Sequence, residues 1–194
     1  MANDSSTGGY LAPAVASPPL EDADLDAIFQ AWVVGITGLA GSLVRPRWQT
    51  TVPLQPPVST NWCALGVSES DRDVFPTIQH DGTGDGSDTL IRNQIIDVLM
   101  SFYGPNGMRY ANTMADGAMV PQNNEALLGN GIALVETGRV LPVPDFFNEQ
   151  WIRRYDLQVR VRRQVTRTYA VLNVLSADGT VNSDPLTQPF SVSQ

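Results

Sequence analysis

The residues with the widest chemical repertoire in this sequence gather between His80 and Asp88, HDGTGDGSD, where the single histidine stands among three aspartates. A histidine can relay protons near neutral pH, and closely spaced aspartates can hold a divalent cation. Asp81, Asp85 and Gly86 fall on positions one, five and six of a calcium loop. Thr83 occupies the third position, and Arg92 stands at the twelfth where a bidentate glutamate belongs, so the pattern fails where negative charge matters most. Gly82, Gly84 and Gly86 lack the spacing and the following helix of a phosphate loop. His80 as a base would need a nucleophile and an orienting acid, and no serine sits in a G-x-S-x-G elbow. The tract therefore reads as a long, mobile, solvated hairpin loop. Carboxylate pairs such as Asp71 with Asp73, or Asp22 with Asp26, serve solubility or helix capping equally well. A lone Cys63 excludes an internal disulfide and a cysteine-based zinc cage, and reads as a small buried apolar residue. The expectation is a chain with no catalytic residue, no metal and no cofactor, the alternative being a small metal-dependent hydrolase built on the aspartate-rich loop.

A second concentration of chemistry is cationic. Trp151 to Tyr169, WIRRYDLQVRVRRQVTRTY, holds six of the twelve arginines against one acid, in a chain whose net charge is −8 and which has no lysine. Tyr155, Leu157, Val159 and Val161 alternate with Asp156, Gln158, Arg160 and Arg162, the period of a strand with one buried and one wet face. A helix would leave Val159 on the polar side and fill its interior with β-branched residues. At about 3.4 Å per residue, Tyr155 to Val165 spans roughly 37 Å, about twice the usual strand. Backbone exposed over that length invites pairing with another chain, and closing a ring is a safe way to satisfy it. Arg163 breaks the apolar parity, so it must meet a carboxylate, backbone carbonyls or a subunit boundary. The rival reading is an ordinary solvated sheet face.

The elements that would position these residues follow from pattern. Leu25, Ile28, Phe29, Trp32, Val33 and Ile36 form one apolar helical stripe, led by Glu21, Asp22, Asp24 and Asp26 and ended among Gly35, Gly38 and Gly41. A strand fragment covers Leu43 to Trp48, followed by a proline-rich linker. Trp62 to Val67 and Leu90 to Tyr103 are strands, the second covered on both faces. Pro105 opens a second helix whose apolar side uses Met108, Ala111, Ala115, Ala118 and Met119. A helical turn at Asn123 to Leu128 follows, then Gly131 to Glu136 and Arg139 to Val143 as a strand or broken hairpin. Beyond the long strand come one short strand, an Asp178-Gly179 turn and a polar end.

This order predicts an α+β fold: an antiparallel-dominated sheet of about four strands with two helices on one face, and extended terminal arms. The expected divisions are an N-terminal arm over 1–20, a domain over 21–176 and a C-terminal arm over 177–194. At 42% apolar and 16% charged the chain reads as soluble, with no apolar run long enough to span a bilayer and no secretion signal at its start. Its acidity argues against free nucleic-acid binding but not against DNA passing through a pore.

Several blocks in order, GITGLAGSLVRPRWQ, NWCALGV, SFYGPNG, VPQNNEALL and NEQWIRRYDLQVRVRRQVTRTY, resemble the neck or tail terminator proteins of tailed bacteriophages over about residues 22–176. The resemblance implies a virion structural protein, assembled in the host cytoplasm, with a small α+β fold and a hexameric ring. That ring would cap the head-proximal end of the tail tube, end its polymerisation and receive the head connector, while DNA slides through the lumen. A head-completion or tail-tube-like adaptor ring is the alternative within the same particle. Charge and exposure, rather than a family site, nominate Arg45, Arg47, Trp48, Arg153, Arg154, Arg160, Arg162 and Arg163 as interface residues.

Overall fold

The apolar stripe of the first helix folds as its spacing requires. Helix α1 (Asp22–Thr37) buries Leu25, Phe29, Trp32 and Val33, and Gly38 closes it in the left-handed conformation with its N–H on the Val34 carbonyl. The computed structural model describes residues 3–14, 19–49, 51, 53–147, 149–174, 176–183 and 186–193. After α1 come β1 (Val44–Pro46), β2 (Trp62–Arg72), β3 (Thr77–Asp81) and β4 (Ser87–Tyr103). Helices α2 (Gly107–Ala118) and α3 (Glu125–Gly129) lead to β5 (Ile132–Pro142), the short pair β6 (Asp145–Phe147) and β7 (Gln150–Ile152), then β8 (Arg154–Tyr169). The hairpin β9 (Ser176–Ser183) and β10 (Leu186–Ser193) ends the described chain.

The α+β class holds, with more elements than the pattern announced. Among the described residues there are three helices, a six-stranded mixed sheet and two two-stranded sheets. The main path runs β1-β2-β4-β8-β5, with β3 also on β4. β1 pairs parallel to β2, Arg45 facing Ala64, while β2 on β4, β3 on β4 and β5 on β8 are antiparallel. The long loop expected before Leu90 is largely strand: β2 runs on to Arg72, and β3 pairs back on β4 from Thr77↔Ile91 to Asp81↔Ser87. The helical turn expected at Asn123 to Leu128 forms as the short helix α3, with Leu127 buried in the core.

The residues fall into two compact units. The larger, Pro19–Pro76 with Arg92–Val165, holds the helices and most of the sheet. Its core joins Phe29, Trp32 and Val33 of α1 and Ala111, Met114 and Ala118 of α2 to Cys63 and Leu65 of β2, Ile96, Val98, Met100 and Phe102 of β4, and Leu157, Val159 and Val161 of β8. Each large apolar side chain buried there contributes about 1.5–3 kcal/mol. On α2 the predicted face is rotated: Met108 and Met119 are exposed, and Met114 is fully buried instead. Small residues let α2 sit close. Gly117 abuts Ile36 of α1, and a Cβ on Gly107 would lie 2.9 Å from the Phe102 carbonyl. The SFYGPNG turn needs its first glycine: Gly104 has φ +102, and a Cβ there would stand 2.5 Å from the Thr60 oxygen.

The smaller unit takes in Met1–Pro18, Thr77–Ile91 and Thr166–Gln194. Its described N-terminal residues lie on the chain's own later segment, with Ser5 N–H on the Ala170 carbonyl at 3.0 Å and Ala14 N–H on Thr168 at 2.8 Å. Residues 15–18 of the expected arm lie outside the described residues. Asp178 and Gly179 are not a turn. They sit within β9, where Gly179 faces Phe190 of β10, and any side chain there would strike that ring.

The overlong β8 is not an edge strand where β5 pairs with it, from Tyr155 to Arg163. It lies between β4, which is as long, and β5, so over that stretch the expectation that its backbone awaits another chain is corrected.

Candidate functional site

Strand parity places the helices over one face of the sheet and leaves the other to polar residues. With Ile96, Val98, Met100 and Phe102 turned to the core, Asp97, Ser101 and Tyr103 of β4 point the opposite way. The same alternation turns out Arg154, Asp156, Arg160 and Arg162 of β8, and Trp62 and Ala64 of β2.

On this second face the arginines meet acids of their own chain. Arg160 donates from Nε to Asp97 Oδ1 at 2.8 Å and from Nη2 to Asp97 Oδ2 at 3.0 Å, while Nη1 reaches Glu136 on β5 at 3.1 Å. Asp97 is 4% exposed. The Arg160 fork holds its carboxyl below the usual range, outweighing the burial that would raise it. A second network starts at Arg154, which donates twice to Asp156 at 2.7 Å and more loosely to Asp145. The hydroxyl of buried Ser101 donates to Asp156 and accepts from Arg47, so β4, β8 and the residue just after β1 share one hydrogen-bonded chain. Arg47 Nε has no acceptor among the described residues. Cys63 lies under this network, and burial pushes its thiol pKa up, which makes it inert.

A cationic and aromatic column connects two sequence blocks far apart in the chain. The rings of Trp62 and Tyr103 stack at 4.2 Å with 7° between planes. Arg45 lies 5.9 Å from the Trp62 centroid, and Arg154 lies 5.9 Å from that of Tyr103. Stacking of this kind and cation–π contact each contribute about 0.5–1.5 kcal/mol. Ile152 of β7 packs on Ala64 and Tyr103, so the β6–β7 hairpin is seated on this face.

The nominated residues thus divide. Arg45, Arg47 and Arg154 come together, and Arg160 forms its own cluster. Arg163 sits at core parity and donates to Gln94 Oε1 at 2.9 Å and to the Leu20 carbonyl, with Glu21 at 3.8 Å, as an arginine facing inwards requires. Trp48 is 74% exposed, its indole lying over Gly66. Arg153 and Arg162 are exposed, and Arg162 lines an open cleft of about 710 Å³ with Asp71, Asn93, Ile95 and Ala133.

Sequence reasoning missed Asp97, Ser101, Asp156 and Glu136. A signal was present. Asp97 and Ser101 stand four apart, on one parity, inside an otherwise apolar run, and buried polar groups at such places have partners. In the glycine-rich loop, Asp81 Oδ1 accepts from Thr83 N–H at 3.0 Å and from its hydroxyl at 2.8 Å. Among the described residues no group of three or more His, Cys, Asp or Glu is placed to hold a metal ion. No described helix is long and apolar enough to cross a membrane.

A helix-backed sheet whose outer face pairs Arg154 and Arg160 with acids of its own chain defines the class of small α+β domain. The family described as Phage neck terminator protein matches residues 23–184, and the chain belongs to that family. It is a bacteriophage structural protein of the tail and neck region of the virion, where it associates with tail and head components. No curated protein matches the chain.

Proposed function

We propose that six copies of this chain close into a ring at the head-proximal end of the tail tube, where the ring ends tube polymerisation and receives the head connector. Family membership over residues 23–184 is the observation that carries this reading. In it, exposed Arg153, Arg162 and Trp48, with half-buried Arg45, meet the neighbouring subunit or layer, while Arg47, Arg154, Arg160 and Arg163 fix the surface from which they project. The chain's net charge of −8 suits a lumen through which DNA slides without adhering.

The terminal segments act in this reading as straps between subunits or layers. The β9–β10 register supports it: Ala177, Gly179 and Val181 stand opposite Val192, Phe190 and Gln188 on one face, with Leu186 beside them, and Asp178, Thr180 and Asn182 stand opposite Ser191, Pro189 and Thr187 on the other. Val181, Leu186, Phe190 and Val192 are 46–66% exposed. A two-stranded sheet is marginal alone, and an apolar face on one gains most from a covering partner. Weak contacts multiplied around a ring act together.

Native mass spectrometry of the full chain, alone and with the tail tube protein, tests the reading. A six-fold assembly, or one that forms on the tube end, is expected. A chain that stays monomeric under both conditions overturns it, and a ring that binds tube sides rather than ends points to an adaptor instead.

A further inference from the structure

His80 on β3 is held from both sides. Its Nδ1 lies 2.7 Å from Asp88 Oδ1 on β4, and its Nε2 lies 2.8 Å from Asn173 Oδ1 in the segment that leads to β9. Both partners are oxygen atoms. The carboxylate of Asp88 accepts only. The Asn173 amide cannot be turned over to offer its NH₂, because Nδ2 already donates to the Gly82 carbonyl at 2.9 Å and the Gly84 carbonyl at 3.1 Å. Reversing it would aim Oδ1 at two carbonyl oxygens. The Asn173 N–H donates to Asp85 O at 2.9 Å, so the whole residue is seated in the loop. Gly86 makes room for it: with φ +94, it passes so close that a Cβ would stand 2.7 Å from Asn173 N.

A neutral imidazole carries one N–H and one lone pair, so it can satisfy one of these oxygens and must face the other with a lone pair. An imidazolium satisfies both. We propose that His80 is a proton-operated latch: doubly protonated, it ties the β3–β4 loop to residues 170–174, and loss of one proton removes one of its two hydrogen bonds and loosens that segment and the β9–β10 hairpin that follows.

The surrounding charges favour the closed state. Asp88 faces the ring from β4, Asp81 adds its field from the end of β3, and Asp85 belongs to the loop that seats Asn173. Residues 170–174, Ala-Val-Leu-Asn-Val, bring no charge. The His80 pKa is accordingly raised, first by the hydrogen bond to Asp88 and then by that to Asn173. The imidazole is 46% exposed, so protons exchange with solvent directly. The latch is fully closed below the ordinary histidine value near 6.5 and is lost as pH rises through the raised folded value. The same segment also accepts from the N-terminal region, Ala170 O from Ser5 N–H at 3.0 Å, so release loosens both termini of the described chain.

The test uses the full ¹⁵N-labelled chain. Long-range ¹H–¹⁵N spectra of the imidazole should show both nitrogens protonated at about pH 6.5, with the midpoint above that of a free histidine. Exchange of the Asn173 backbone amide should accelerate by more than the tenfold per pH unit of hydroxide catalysis across that midpoint. Asp88→Asn should lower the midpoint, and Gly86→Ala should leave Asn173 unprotected at every pH. A wild-type His80 that titrates at or below the ordinary value overturns the latch, and so does Asn173 exchange that keeps the intrinsic slope in wild type and His80→Gln alike.

Discussion

Arg160 meets Asp97 fork-on, Nε and Nη2 each within 3.0 Å of a separate carboxylate oxygen, although the two residues lie 63 positions apart. Arg162, two residues further along the same face of β8, is exposed and lines a cleft instead. Reversing the two charges should therefore have unlike effects. Arg160→Glu places a third carboxylate beside Asp97 and Glu136, and thermal denaturation should show a lower Tm. Arg162→Glu should unfold with the wild type and, if it lies at a subunit boundary, weaken assembly in native mass spectra. Equal Tm losses in both variants would contradict this division.

Asp97 also sets an acid limit. Its folded pKa lies below the ordinary carboxylate value near 3.9, so its pairing contributes stability that is complete above that value and is lost as pH falls through the folded one. Urea midpoints between about pH 5 and pH 2 should fall more steeply for the wild type than for Asp97→Asn. At neutral pH, Asp97→Ala should cost about 2 kcal/mol, because Arg160 loses its principal acceptor.

The crossing of α1 and α2 tolerates no added methyl group. In an open helix, glycine to alanine gains up to about 1 kcal/mol. At Gly117 the new Cβ would collide with Ile36 Cγ2, so Gly117→Ala should destabilise, by about 1–3 kcal/mol as overpacked cores do. Ile36→Ala in that background should recover part of the loss, and a double-mutant cycle in urea would measure the coupling.

Trp62 and Tyr103 face one another across β2 and β4 and stack almost parallel. A cycle through Trp62→Leu and Tyr103→Leu should return a coupling of about 1 kcal/mol. Independent effects of the two would show that the stack adds nothing beyond burial.

The apolar face of β9–β10 should matter to assembly rather than to the fold. Val181→Glu with Phe190→Glu should leave the Tm of the larger unit within about 1 °C and reduce any multimer seen by native mass spectrometry. A multimer of unchanged strength would remove the hairpin from the interface.

Sequence alone determined what depends on near neighbours. The α1 stripe from Leu25 to Val33 is local periodicity, and so is the alternation of Leu157, Val159 and Val161 on β8. The inward-facing Arg163 was legible as a residue needing partners, since parity alone exposed the conflict. The ordered blocks from the first helix to the long strand also carried the family, which matches residues 23–184. Tertiary structure decided the rest. Which acid meets Arg160, whether β8 lies at an edge or in the centre, and the parallel run of β1 on β2 depend on strand order, and strand periodicity is the same whatever lies beside it. Met114 displaced Met108 in the core because the rotation of α2 is set where Gly117 admits Ile36, a contact between residues 81 positions apart that no local pattern contains. His80 stayed a solvated loop residue in the sequence for the same reason: Asn173, the partner that gives its second nitrogen a role, is 93 positions away.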